Sequence, residues 1–192
     1  MSAEGAGSHH HGSRTVVLFE GRSDIAAFQA VARRHGASLA GLDLVELGGI
    51  TNLRRELSAR WSPPDRMLGL YDAAEEHYVE GVLRDVGMLE AGDPRSIGFF
   101  GCDRDLEDEV IRAAGPDLVL AALEARDELA RFRVFQEQPA QRGRPITDQL
   151  HRFAGTAAGR KTRFAADVVE AIPLERMPRP LEGLLEAALH PR

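Results

Sequence analysis

The sequence predicts an α/β fold: a central parallel sheet of about four strands, flanked by helices and followed by a helical C-terminal extension. Two observations predict it. Short runs rich in β-branched and aromatic residues alternate with stretches of helical periodicity, and Gly, Pro or Asp punctuates the joins. The stretches between the apolar runs are long enough to be helices, and helical crossovers join parallel strands with right-handed connections. The chain has 192 residues and is 43% apolar, enough for one domain with a real core.

The elements follow in order. Thr15–Phe19 is the first strand and breaks at Glu20-Gly21. Ser23 to His35 carries Ile25, Phe28, Val31 and Ala32 at helical spacing, with Gly36 as a stop. Leu42–Leu47 is the second strand; Gly48-Gly49 follow it, and Thr51 and Asn52 open a helix that runs to Arg60. Ser62-Pro63-Pro64 breaks the chain before a third strand, Met67–Tyr71, which ends at Asp72. Glu75 to Met88 reads as helix. After Gly92-Asp93-Pro94 comes a fourth strand, Ser96–Phe100, then Gly101-Cys102-Asp103 and an acidic helix start from Asp105 to Glu109. Pro116 to Arg133 reads as one long amphipathic helix, and 138–145 as a loop. His151–Phe153 ends a short helix. Gly155 to Gly159 leads into a helix with Lys161, Phe164, Ala165, Val168 and Val169, and Leu181–Leu189 closes the chain.

The division expected from this pattern is a disordered leader over 1–13, an α/β core over 14–115, and a helical extension over 116–192 that completes the domain. The leader is small and polar and holds His9, His10 and His11. It lacks the apolar core of a signal peptide, and no apolar run reaches the length of a membrane span. The single Cys102 excludes a disulfide framework or a CxxC metal cluster and fits a reducing, cytoplasmic setting. The net charge of −6 gives no global basic field. That balance still admits a nucleic-acid enzyme, because a metal-dependent phosphoryl-transfer site is itself acidic and its cations reverse the local sign.

The first strand's end is the most informative place. Glu20 lies at the carboxyl edge of a buried strand and Asp24 one turn on, where open α/β sheets collect ligands. Two carboxylates held by a Gly turn can seat a hard divalent cation; equally, Ser23 and Asp24 can simply cap the helix. The third strand delivers Asp72 to the same edge, and the fourth is followed by Asp103, Asp105, Glu107, Asp108 and Glu109. Carboxylates so convergent repel and titrate upward unless Mg²⁺ or Mn²⁺ compensates them. Helix N-terminal preference accounts for some of the later acids. It accounts poorly for Asp72, which directly follows a strand. Of 24 basic residues only Lys161 is a lysine, which singles out a position where a compact ammonium serves and a planar guanidinium does not.

These motifs resemble a TOPRIM domain, the Rossmann-like catalytic fold shared by topoisomerases, bacterial primases, recombination proteins and the overcoming-lysogenization-defect (OLD) nucleases. Val16-Val17-Leu18-Phe19-Glu20-Gly21 is similar to its first motif, and Ser23-Asp24 to the OLD continuation. Gly48-Gly49 before a polar helix also resembles it. Asp72 matches the first Asp of the family's Asp-x-Asp; the second position is Ala74, with Glu75 or Glu76 as neighbouring substitutes. Asp105-Leu106-Glu107 is similar to a later acidic helix start, and Gly159-Arg160-Lys161-Thr162 to a basic helix opening. The resemblance implies a Mg²⁺- or Mn²⁺-dependent endonuclease acting on DNA phosphodiesters, with RNA as a further substrate class. In it Glu20 is metal ligand or general acid/base. Asp24, Asp72, Asp105 and Glu107 share one or two cations, and Lys161 offsets charge on the phosphate. The alternative is a catalytically impaired module that binds nucleic acid or a partner ATPase; a primase-like activity is a weaker third reading.

Several features are expected to be bystanders. Gly155 to Thr162 fails as a P-loop, since its first spacing is short and no buried strand precedes it, so any ATPase must be a separate chain. His35, His77 and His151 stand isolated in sequence. Cys102 reads as a structural thiol. Trp61 packs beside Pro63-Pro64 or stacks a base. Arg131, Arg133, Arg142, Arg144, Arg152, Arg160 and Arg163 form either a phosphate-binding patch or a mixed-charge face.

Overall fold

The computed structural model describes residues 14–190, the side chain of Ala158 apart, so the expected leader over 1–13 lies outside the described residues. Four strands form one sheet in the order β2-β1-β3-β4: β1 Thr15–Phe19, β2 Leu42–Glu46, β3 Arg66–Asp72 and β4 Phe99–Cys102. Every pairing is parallel, with Leu18 opposite Gly69 and Asp72 opposite Cys102. The helices are α1 Arg22–Arg34, α2 Leu53–Arg60, α3 Glu76–Asp85, α4 Leu106–Ala114, α5 Pro116–Ala125, α6 Leu129–Gln136, α7 Ile146–Ala154, α8 Ala158–Ala171 and α9 Arg179–Leu189.

The strands alternate their faces, as pleating requires. Val17, Phe19, Leu68, Leu70 and Cys102 join α1, α4, α5, α8 and α9 in the larger core. Val16, Leu18, Met67, Tyr71 and Phe99 face the other side, with α2 and α3. Helix α8 packs along α1 and also touches α4 and α5, while α9 covers β3 and β4. Gly69 lets the Phe99 ring lie against the sheet: a Cβ at Gly69 would meet that ring at 2.8 Å. Among the described residues no helix is long and apolar enough to cross a membrane.

Two elements differ from the sequence reading. The fourth strand was expected over Ser96–Phe100, but Pro94–Ile97 forms a 3-10 turn capped by Asp93, whose Oδ1 accepts the Arg95 N–H at 2.8 Å. Gly98 then turns the chain with φ 90° and β4 begins at Phe99. The long helix expected from Pro116 to Arg133 is two helices, α5 and α6. The break holds Asp127 at φ 56°, a left-handed conformation that Asp tolerates better than most residues, and Glu128 beyond it is turned into the interior.

Candidate metal centre

Glu20 lies between β1 and α1. Its backbone carbonyl accepts the N–H groups of Gly48 and Gly49 at 3.1 and 3.2 Å. Both glycines have positive φ, 68° and 117°, which is why this turn is glycine-glycine. Asp72 ends the neighbouring strand β3. Glu75 follows in a 3-10 turn over Ala73–Glu75. One oxygen each of Glu20, Asp72 and Glu75 lies within 4.8 Å of the others. A 3-10 turn eclipses residues i and i+3, so Glu75 projects on the same side as Asp72, whereas Glu76, at the start of α3, is exposed. Glu75 thus brings beside Asp72 a carboxylate that Ala73 and Ala74 lack.

The electrostatics of this group are strained. Burial, followed by repulsion from Asp105, Asp24, Glu20 and Glu75, pushes the Asp72 carboxyl up to about 8. Glu75 is raised by burial and by Glu20. Its Oε2 is buried without a hydrogen-bond partner. Two raised carboxyls, Asp72 and Glu75, with an orphaned oxygen on Glu75, fit a divalent cation better than any protein partner on hand.

Asp24, Asp105 and Glu107 surround this cluster but do not complete a three-residue group at that spacing. Asp24 caps α1, accepting the Gly21 N–H at 3.0 Å and the Ser23 hydroxyl at 3.3 Å. Burial still raises it to about 6, with Glu107 and Glu20 adding repulsion. Glu107, in the first turn of α4, is raised by burial and by Asp105, and lowered by Lys161 and His151. Its Oε1 is buried and unpartnered. Lys161 is exposed at the start of α8, and its charge acts on Glu107 to lower it.

Asp105 has both oxygens engaged. Oδ1 accepts the Asp108 N–H at 2.8 Å as the N-cap of α4, and Oδ2 lies 2.7 Å from His151 Nε2. Burial alone would raise Asp105, but these bonds outweigh it and hold it below the usual carboxylate range. The pairing with Asp105 raises His151. So His151, isolated in sequence, is not isolated in space. Nothing local marks it, since its partner is 46 residues away.

The remaining acids after β4 have structural partners. Arg112 bridges Asp103 and Glu109 at 2.7 Å each, and Glu109 Oε1 accepts the Asp103 N–H at 2.9 Å. Asp108 lies 3.6 Å from Arg104. The C-terminal arginines are also largely committed. Arg131, Arg160 and Arg163 converge on Glu128, Arg142 reaches Glu137 at 3.7 Å, and Arg133 bonds Gln136. The mixed-charge face is the better description of that patch. Cys102 is buried, and burial followed by Asp72 raises its thiol. Trp61 packs against the smaller core.

The chain thus forms a parallel four-stranded sheet with helices on both faces and acids gathered at its carboxyl edge. The fold is that of the C-terminal region of OLD proteins. The solved region from Burkholderia pseudomallei matches with a TM-score of 0.64 at 17% identity, over 93% of this chain and 98% of that one. The region from Xanthomonas campestris pv. campestris matches in a mercury-phased structure with a TM-score of 0.60 at 21% identity, covering 93% and 95%. Its platinum-phased structure gives 0.56 at 22%, covering 91% of each. No family model and no curated protein matches the chain.

Proposed function

We propose that this chain is a Mg²⁺- or Mn²⁺-dependent nuclease or nicking enzyme acting on DNA phosphodiesters. The observation that carries the reading is the Glu20, Asp72 and Glu75 group, three carboxylates within 4.8 Å at the carboxyl edge of adjacent strands, one with a buried oxygen that no protein donor satisfies. These three residues would hold a cation, with Asp24 and Glu107 offering further oxygens beside it. A bound divalent ion supplies Lewis-acid polarisation of phosphoryl oxygens and a water of lowered pKa. The protein groups do the rest. Lys161, whose charge reaches Glu107, would offset negative charge growing on the phosphate. Asp105 holds His151 in a fixed orientation and keeps the first turn of α4 in place, so its role here is orientation before ligation. The buried single thiol Cys102 supports a reducing, cytoplasmic setting.

The second reading, a binding module without cleavage, draws on Ala74 alone, and Glu75 supplies the carboxylate that Ala74 lacks. Plasmid relaxation with Mg²⁺ and with Mn²⁺ separates the two. The native chain is expected to nick, and Glu20→Ala, Glu75→Ala and Lys161→Ala are expected not to. Equal inertness of all four, with DNA binding retained, establishes the binding module instead.

A further inference from the structure

We infer that the buried Glu128–Arg160 ion pair is a positioning device for Lys161; the inference rests on the metal-dependent cleavage reading above. Arg160 immediately precedes Lys161 in the first turn of α8. It is 8% exposed and Glu128 5%. Arg160 Nε and Nη2 donate to Glu128 Oε2 at 3.0 and 2.6 Å. Its Nη1 donates to the Phe153 carbonyl at 3.3 Å and to the Thr156 hydroxyl, and the guanidinium carbon sits 3.8 Å from the Phe153 ring centroid. One side chain thereby ties the residue before α6, the end of α7 and the start of α8. The second oxygen of Glu128 accepts from Arg131 and Arg163, each at 3.2 Å.

The segment that carries Lys161 has few buried side chains to anchor it. From 155 to 163, Arg160 is the one buried residue among the described side chains; Gly155, Thr156, Ala157, Gly159, Lys161, Thr162 and Arg163 are exposed. Helix α8 has no side-chain cap at Ala157. A buried ion pair contributes little net stability, because desolvation offsets the attraction and an apolar pair of similar volume often does as well. What a planar guanidinium does supply is direction, through several donors in fixed geometry. Here that direction sets where the next residue, Lys161, stands relative to Glu107 on α4. The local break at Asp127 that prevents one continuous helix is what delivers Glu128 to this place.

Because Lys161 is the only lysine, ¹³C-methylation of the full chain gives a single side-chain ε-resonance, and Mn²⁺ broadens it in proportion to proximity. The native protein is expected to show strong broadening. In Glu128→Leu/Arg160→Met, cooperative unfolding and the Mn²⁺-induced rise in Tm are expected to persist. The broadening is expected to weaken severalfold, and kcat for nicking by the unmodified protein to fall about tenfold or more at unchanged KM. Arg160→Gln, which keeps a polar donor without the charge or the fork and adds no second lysine, is expected to weaken the broadening and lower kcat as well. Broadening in the double variant, or in Arg160→Gln, equal to that of the native chain overturns the positioning role alone. Absence of broadening in the native chain overturns the metal reading and this inference with it.

Discussion

His151 Nε2 lies 2.7 Å from Asp105 Oδ2, joining α7 of the helical C-terminal part to the first turn of α4 beside the acidic edge. The bond couples two titrations of opposite sense. The bond lowers Asp105 and raises His151. The pair sets the His151 imidazole beside the acidic edge and ties α7 to the end of α4 that bears Glu107.

His151→Ala is therefore expected to destabilise the protein by about 1–2 kcal/mol near pH 6, the range for a partly exposed hydrogen bond between charged groups. The folded pKa of His151 is raised, so its contribution is fully present below the unfolded value of about 6.5 and is lost as pH rises through the folded value. The gap between native and variant should shrink by pH 9. Urea unfolding at the two pH values measures it; a gap that is independent of pH contradicts the ion pair.

The acidic edge makes a complementary prediction for the metal-free chain. Asp72, pushed up to about 8, and Asp24, to about 6, bind protons more tightly when folded than when unfolded. Their contribution is greatest below about pH 4 and declines as pH rises through those folded values, by at most about 1.4 kcal/mol per pH unit for each group and less for sites partly open to solvent. In EDTA, Tm should fall between pH 5 and pH 8. Asp72→Asn should flatten that slope, and saturating Mn²⁺ should do the same in the native chain. A slope unchanged in Asp72→Asn would show that Asp72 is not a strained member of the group.

Glu75 and Glu76 are adjacent in sequence and opposite in expectation. Glu75→Ala removes one of three mutually repelling carboxylates, so the metal-free variant should be as stable as the native chain or about 0.5–1 kcal/mol more so. The same variant should lose the stabilisation that Mn²⁺ confers, about 2.7 kcal/mol at a hundred times Kd. Glu76→Ala, altering an exposed carboxylate, should change neither quantity. Thermal shift with and without Mn²⁺ decides it. A full Mn²⁺ response in Glu75→Ala would remove Glu75 from the proposed centre.

What the sequence made legible is what short-range pattern encodes. The strands β1, β2 and β3 lie within a residue or two of their expected bounds, because β-branched and aromatic runs end at Gly, Pro or Asp. The approach of Glu20 to Asp72 was legible too, since any sheet with β1 beside β3 in parallel brings their carboxyl ends together. Three things were not. The start of β4 was obscured because Ile97 looks like a strand residue, yet Asp93 caps a 3-10 turn through it. The break between α5 and α6 was hidden because the apolar spacing continues across Arg126–Glu128; the tertiary pairing of Glu128 with Arg160 overrides it. The company that His151 keeps depends on a partner that no local pattern announces. Glu75 lay between: the i, i+3 spacing from Asp72 becomes informative only once the turn is known to be 3-10.

The Glu128–Arg160 pair separates stability from geometry in a way that single and double substitutions can read. Glu128→Leu alone leaves the Arg160 guanidinium buried without its carboxylate, and Arg160→Met alone leaves Glu128 to two exposed arginines. An uncompensated buried charge typically costs about 3–5 kcal/mol, so the first variant should show a loss of that order, and the second a smaller one because Arg131 and Arg163 still neutralise Glu128. In the double variant the Phe153 carbonyl keeps the Thr156 hydroxyl at 2.7 Å as a donor, so no polar group is orphaned there. Its stability should return to within about 1 kcal/mol of the native chain. The double-mutant cycle by chemical denaturation should thus show strong coupling between the two sites. Additive single losses in the double variant would mean that each residue is held by other contacts and that the pair does not act as a unit.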